Sequence, residues 1–254
     1  MFKIATWNVN SLRVRLPQVL DWVAKHKPDV LALQETKVTD DKFPGLEIEA
    51  AGYKVVYSGQ KTYNGVAVLS REKACDIVTD LPGIDDPQRR VLGVTVGDLR
   101  ILNLYVPNGS EVDSDKYKYK LDWLEKLQAY VKQQLSVYPK LIVLGDFNIA
   151  PDDRDVYDPK VWAGHILVSE PEREALRKLL KVGLTDSFRL FNDEAGHYSW
   201  WDYRMAAFPR DRGLRLDLIL VSEVLVKQVK KVVIDKEPRG LDRPSDHTPV
   251  VIEF

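Results

Sequence analysis

Apolar positions along the chain recur sometimes every two residues and sometimes every three to four, and the changes of period mark out its elements. Residues 2–9 predict a strand that ends at Asn8. Leu16, Val19, Leu20 and Val23 share one helical face and predict a helix over 16–26. Residues 30–33, just after Pro28, form a short unbroken apolar run, the mark of a strand covered on both faces. Residues 53–58 and 66–70 predict a strand pair joined through Asn64-Gly65. Residues 91–96 and 99–105 alternate around Gly97-Asp98, a two-residue hairpin signal with glycine first. A long helical pattern covers 114–135, carried by Leu121, Leu124, Leu127, Val131 and Leu135. Residues 141–144 are a second fully apolar strand. Ser169 with Glu172 forms a capping box that opens a helix running to Gly183. Residues 214–221, 229–234 and 249–254 predict further strands.

No linker or low-complexity stretch interrupts this series, so residues 1–254 are expected to form a single domain. The hairpins demand antiparallel pairing, and a simple doubly wound parallel sheet does not supply it. Two packed sheets with helices outside fit better. HKPDVLALQE (26–35) and YPKLIVLGD (138–146) both run helix, proline, apolar strand, acid. Any αβ unit can look like this, and an internal duplication can too. Either way, Glu35 and Asp146 stand at the carboxyl ends of buried strands, where open α/β sheets place their ligand sites.

Composition narrows the class. Of 254 residues, 44% are hydrophobic and 30% charged, as in a globular protein. No apolar run approaches the roughly 20 residues of a membrane helix. The start, MFKIATWNVN, lacks a basic-then-apolar leader pattern. Cys75 is the only cysteine, so no internal disulfide can form, which fits a reducing cytosol. The net charge of −1 argues against a nucleic-acid coat protein but permits an acidic pocket with a basic rim.

The chemistry gathers at segment ends. Asp246 and His247 stand together in RPSDHTPVV, and Asn8, Asn10, Gln34, Glu35, Asp146, Asn148 and Asp217 each follow or interrupt an apolar run. In LIVLGDFNIAP, Gly145 permits a tight turn, and alternation puts Asp146 and Asn148 on one face. An Asx-turn would explain one of the two. Asp217 lies within LRLDLILV, and His247 is its natural partner, because the carboxylate fixes the imidazole tautomer. Asn8 and Asn10 can orient phosphate oxygens or carboxylates. Tyr105 ends its strand with a hydroxyl that can reach a phosphate. Carboxylates and amides without thiolates favour Mg²⁺ or Mn²⁺ over Zn²⁺. A hard cation beside a phosphodiester, with a carboxylate to deprotonate water, makes a hydrolytic site. Polar and basic loops offer backbone contacts: Gln60, Lys61, Tyr63 and Asn64; Arg89 and Arg90; Asn108; and the interleaved run 116–120 ending at Lys120. Trp200 and Trp201 stand beside Arg204, Arg210, Arg212, Leu214 and Arg215. They suit an apolar slot with a phosphate-binding rim, one tryptophan packing while the other faces substrate.

An ordered set of motifs runs through essentially the whole chain: ATWNVNSLR (5–13), LQETK (33–37), SGQKTYNGVAVLS (58–70), PQRR (87–90), LGDFNIAP (144–151), GLTDSFR (183–189), SWWDYR (199–204), RGLRLDLILVS (212–222) and RPSDHTPV (243–250). In these motifs the chain closely resembles the bacterial exonuclease III family, within the endonuclease/exonuclease/phosphatase superfamily. The resemblance implies a four-layered α/β sandwich. It also implies a Mg²⁺- or Mn²⁺-dependent DNA-repair activity: 3′→5′ exonuclease on duplex DNA, 3′-phosphatase, and incision at abasic sites.

By matching motif, Glu35 is expected as principal metal ligand with Asn8 beside it, and Asp246 as support for the metal or the histidine. Asp146 is expected to activate water and Asn148 to orient it. His247, held by Asp217, is expected on the phosphate rather than on the metal, and Tyr105 near the leaving group. Trp200, Trp201 and Leu214 are expected to line the pocket for a flipped-out base-less sugar. Trp201 stands where the family has Phe, implying a narrower pocket. Residues 154–168 belong to a loop that borders the DNA, with His165 expected on its surface. The implied partner is double-stranded DNA with abasic sites or 3′ ends. A monomer without obligate protein partners is expected, in the cytoplasm of a bacterium and at the nucleoid when acting. Two alternatives remain: a phosphodiesterase of the same fold acting on a non-DNA phosphoester, and an inactive DNA-binding module, which would be expected to have lost these acids.

Overall fold

A computed structural model describes residues 1–254. Two mixed six-stranded sheets form its centre. The first contains β1 (Lys3–Asn8), β2 (Val30–Gln34), β3 (Lys54–Ser58) and β4 (Val66–Ser70). The second contains β5 (Cys75–Val78), β6 (Val91–Val96), β7 (Leu99–Tyr105), β8 (Leu141–Asp146), β9 (Leu184–Asp186) and β10 (Asp217–Ser222). The last strands, β11 (Lys231–Ile234) and β12 (Val250–Glu253), return to the first sheet.

The strand orders are β11-β12-β1-β2-β4-β3 and β5-β6-β7-β8-β10-β9. In each sheet the two middle strands are parallel and all other pairs antiparallel. A helix links each parallel pair: α1 (Leu12–His26) between β1 and β2, and α3 (Asp115–Val137) between β7 and β8. The near-repeat therefore occupies the same place twice. Residues 26–35 supply β2, residues 138–146 supply β8, and the acid of each stands at the carboxyl end.

The layering follows from which faces are apolar. α1 and the short α2 (Gly45–Ala50) cover the first sheet through Trp7, Val19, Trp22, Val23 and Ile48. α3 and α5 (Glu170–Leu180) cover the second through Trp123, Leu127, Val131, Leu176 and Leu179. α4 (Pro159–Trp162) and α6 (Glu223–Val226) are single-turn pieces. The result is the four-layered α/β sandwich that the motifs imply. No helix is long and apolar enough to cross a membrane.

Between the sheets, alternation carries each strand from apolar to polar. β1 places Ile4, Thr6 and Asn8 on one face, β2 places Val30, Ala32 and Gln34, β7 places Ile101, Asn103 and Tyr105, and β8 places Ile142, Leu144 and Asp146. The apolar members fill the inter-sheet core with Val66, Val68, Leu92, Val94, Ile219 and Val221. The polar members collect at one end, and the site lies there.

Several elements begin or end away from their predicted positions. α1 starts at Leu12, because Ser11 and Leu12 send their backbone N–H groups to the Glu35 and Thr36 carbonyls (2.7 and 3.0 Å). Tertiary partners thus replace the side-chain cap that the sequence lacks. α5 ends at Leu180, short of Gly183, although its capping box forms as expected. β10 starts at Asp217, because residues 214–216 pair with other segments. α2, β5 and β9 carry too few periodic apolar residues to be read from the sequence.

Candidate active site

The end of β2 supplies Glu35, in left-handed backbone conformation (φ 51°). The end of β8 supplies Asp146, and Gly145 lets it arrive. Gly145 has φ 135°, and a Cβ there would lie 2.0 Å from the Leu104 carbonyl oxygen of neighbouring β7. Only glycine permits that approach.

Asn8 links the two acids. Its Nδ2 donates to Glu35 Oε1 and to Asp146 Oδ2, each at 2.9 Å, while its Oδ1 accepts from the Asn10 N–H at 3.0 Å. Asn8 thus enters as a bridging donor, not with the free oxygen expected of a metal ligand. Asp146 Oδ1 accepts from the Asn148 N–H (2.9 Å). The Asn148 side chain donates to the Val106 carbonyl (2.9 Å) and to Asp146 Oδ2 (3.3 Å). Asn148 has φ 49°, which turns its amide back to the acid it follows.

His247 is buried opposite Asp146. Its Nδ1 donates to Asp217 Oδ2 at 2.8 Å, and its Nε2 lies 3.6 Å from Asp146 Oδ2. The pairing of Asp217 with His247 was legible in the sequence; its third member was not. Ser199 Oγ donates to the same Asp217 oxygen at 2.7 Å and accepts the backbone N–H groups of Leu216 and Asp217. Nothing in the sequence singled out this serine just before the two tryptophans, because an Asp–His pair gives no reason to select it. Lys37 was also missed. Its Nζ lies 2.9 Å from Glu35 Oε2 and donates to Asn10 Oδ1.

The site is electrostatically crowded. Burial pushes the Asp146 carboxyl up to about 7, against the favourable charge of His247. Burial presses His247 downward, but the Asp217 and Asp146 carboxylates outweigh it and carry the imidazole up to about 10. The ring is therefore a cation at neutral pH, with both nitrogens acting as donors. Burial, with the charges of Glu35 and Asp146, holds the Tyr105 hydroxyl well above its ordinary value, so it stays a neutral donor.

Glu35, Asp146 and His247 bring ligand atoms within 4.8 Å of one another, a cluster that could hold a metal ion. The donor chemistry fits a hard cation through the carboxylates: Glu35 and Asp146 offer oxygens, and the imidazolium offers no lone pair. Asp246 stands outside that cluster. Its oxygens accept from Asn10 Nδ2 (2.9 Å) and Trp200 Nε1 (3.0 Å).

A cleft of about 450 Å³ extends from Glu35 and Tyr105 past Tyr63, Asn64, Arg90 and Asn108. Arg90 stacks on the Tyr105 ring at 4.8 Å, and Asn108 Nδ2 donates to Asn148 Oδ1 at 3.3 Å. Lys61 and Arg204 are exposed, and Arg89 is partly exposed and paired with Asp80. Trp200 is half-buried. Three expected DNA contacts are not on this surface. Lys120 is fully buried: its Nζ ion-pairs with Glu172 and donates to the Asn148 and Asn108 carbonyls (2.7 and 3.1 Å). Run 116–120 is helical, so its lysines face different ways, and only Lys116 reaches the cleft. Trp201 is also fully buried, edge-on to Tyr198 and Phe208, so its ring packs the loop and does not narrow a pocket. Leu214 is buried beneath Trp200 and Val156. His165 is exposed beside Trp162.

Carboxylates on a buried strand end, a carboxylate-held imidazolium and a polar cleft define a metal-assisted phosphoester hydrolase site. The chain belongs to the endonuclease/exonuclease/phosphatase family, which matches residues 5–247. Among curated relatives, it is 36% identical to exodeoxyribonuclease III of Haemophilus influenzae, over 99% of both chains. Among solved structures, it is similar to a 3′ phosphatase from Neisseria bound to a product DNA hairpin. The TM-score is 0.99 and the identity 49%, covering 100% of this chain and 99% of that one. It is also similar to an AP endonuclease from Archaeoglobus fulgidus (TM-score 0.97, identity 38%, coverage 100% and 99%).

Proposed function

We propose that the protein is a Mg²⁺- or Mn²⁺-dependent DNA-repair phosphodiesterase. It would remove nucleotides or phosphate from 3′ ends of duplex DNA and incise at abasic sites, acting as a single-domain monomer. The observation that carries this reading is the meeting of Glu35, Asp146 and His247 within 4.8 Å, beside a polar cleft that Glu35 lines. The relatives' described activities support the substrate class. The higher identity to the Neisseria 3′ phosphatase than to the archaeal AP endonuclease supports 3′-end processing as the stronger activity.

In this reading Glu35 and Asp146 hold the cation, which when bound supplies Lewis-acid stabilisation of charge on the phosphate and the departing oxygen. Asp146, raised towards neutrality, takes the proton of an attacking water that Asn148 orients. His247, cationic and fixed by Asp217, donates from Nε2 to a phosphate oxygen. Tyr105 donates its neutral hydroxyl near the leaving oxygen. Water forms one P–O bond while the bond to the leaving oxygen breaks. The water's proton goes to Asp146, and the leaving oxygen takes the proton of the Tyr105 hydroxyl, which solvent water then restores as Asp146 releases its own. Tyr63, Asn64, Arg90, Asn108 and Lys116 grip the backbone along the cleft.

Three labelled duplexes test this: one with an abasic site, one with a 3′-phosphate and one with a recessed 3′-hydroxyl, each with Mg²⁺ and with EDTA. Cleavage of all three is expected with Mg²⁺, fastest on the 3′-phosphate, and none with EDTA. Persistent binding without metal-dependent cutting would leave the inactive-module reading standing.

A further inference from the structure

The catalytic groups come from two different sheets, so their separation depends on how one sheet sits on the other. Glu35 and Asn8 belong to the first sheet; Tyr105, Asp146 and Asp217 belong to the second. The core between them is built from Val, Leu, Ile and Ala side chains. Such contacts are non-directional and tolerate small slips with little change in buried area.

One step below the site this core is interrupted. Gln34, adjacent to Glu35, donates from Nε2 to Asn103 Oδ1 across the sheets at 2.7 Å and to Thr6 Oγ1 at 2.9 Å. Asn103, two residues before Tyr105, sends its Nδ2 the other way. It donates to the backbone carbonyls of Leu33 (3.0 Å) and Ala67 (2.9 Å), on β2 and β4. Thr6, Gln34 and Asn103 are each fully buried.

We propose that the Thr6–Gln34–Asn103 bridge is a positioning device that fixes the register of the two sheets and thereby the spacing of Glu35 from Asp146 and Tyr105. Hydrogen bonds supply the direction that apolar packing lacks. Stability alone does not account for the bridge: Gln34 Oε1 is buried without a partner, and an orphaned acceptor is costly. Apolar residues of similar shape would fill this layer without that cost. The inference rests on the proposed hydrolytic reading for its catalytic consequence, but its structural claim stands apart from it.

The test is the triple variant Thr6→Val/Gln34→Met/Asn103→Leu, which removes all three members of the bridge and leaves none of their side chains orphaned. Thermal stability is expected to stay close to that of the parent. Mn²⁺ affinity by calorimetry and kcat on a 3′-phosphate duplex are each expected to fall about 10- to 100-fold, with KM for DNA little changed. A third readout needs neither metal nor activity. The Asn8 side-chain amide bridges Glu35 and Asp146, so its NMR resonance is expected to shift and lose exchange protection in the variant. If the amide stays in place and Mn²⁺ affinity is unchanged, the inference is overturned, whatever the enzyme proves to cut. Losses that disappear on cooling, following the unfolded fraction alone, would overturn it equally. Gln34→Met by itself, which orphans Asn103 Oδ1, is expected to lose stability as well as kcat. A parent that binds Mn²⁺ yet cuts no DNA contradicts the proposed function and leaves the amide shift to decide the bridge.

Discussion

His247 faces three carboxylates, and that setting fixes its role. Asp217 binds its Nδ1, Asp146 faces its Nε2, and Asp246 adds charge from the next residue, together outweighing burial. Its raised folded-state pKa means that the charged form dominates until pH rises through about 10. The stability it contributes is fully present below the unfolded value near 6.5 and is lost as pH climbs through that range. A rate profile of kcat/KM is therefore expected to fall on the alkaline side near pH 10, and His247→Gln is expected to abolish that limb along with most activity. The acid limb belongs to Asp146, which must lose its proton near pH 7, and a nearby divalent cation is expected to move that limb lower. A wild-type alkaline limb at the ordinary histidine value would contradict this setting. Asp217 and His247 were legible because each is a polar residue stranded beside apolar runs. Ser199 and Lys37 were not, because neither interrupts or ends an apolar run: Ser199 stands in a polar and aromatic loop, and Lys37 lies two residues beyond Glu35.

At the scale of elements, long periodic segments were legible and short ones were not. The β6–β7 hairpin and its Gly97-Asp98 turn stand where the alternation puts them, and α3 differs from its pattern by a residue or two at each end. β9, with three residues, and β5, mostly exposed, have no period to read. Helical geometry also decides Lys120. Interleaved basic and aromatic residues look like a backbone grip in one dimension, but on α3 they point to different sides. Lys120 turns inward and joins the site loops to Glu172 at the start of α5. Lys120→Met is expected to destabilise the protein by roughly 3–5 kcal/mol, because it leaves Glu172 buried and unpaired. The same substitution should leave the slope of log affinity for duplex DNA against log salt unchanged, whereas Lys116→Met should reduce it by about one phosphate contact. A reduced slope for Lys120→Met would return that lysine to the DNA surface.

At the scale of the whole molecule, the site is a consequence of two sheets meeting. Each carries a parallel strand pair joined by a helix, and each ends that pair with an acid, Glu35 on one side and Asp146 on the other. That both acids end buried strands was legible in the near-repeat. That the two units face each other across a common core was not, since no local period records which strands share a layer. Because the groups come from separate sheets, their chemistry is separable from folding, and the most direct test changes a single atom. Asp146→Asn keeps the side chain's shape, so the fold and duplex DNA affinity should hold. At most a modest loss of thermal stability is expected, because the new NH2 meets an N–H that the carboxylate accepted. Single-turnover cleavage of a 3′-phosphate duplex with Mg²⁺ should fall by about 10²–10⁴-fold or more. Near-normal turnover by a folded Asp146→Asn protein would contradict the assignment of this carboxylate, and of the site, as the centre of hydrolysis.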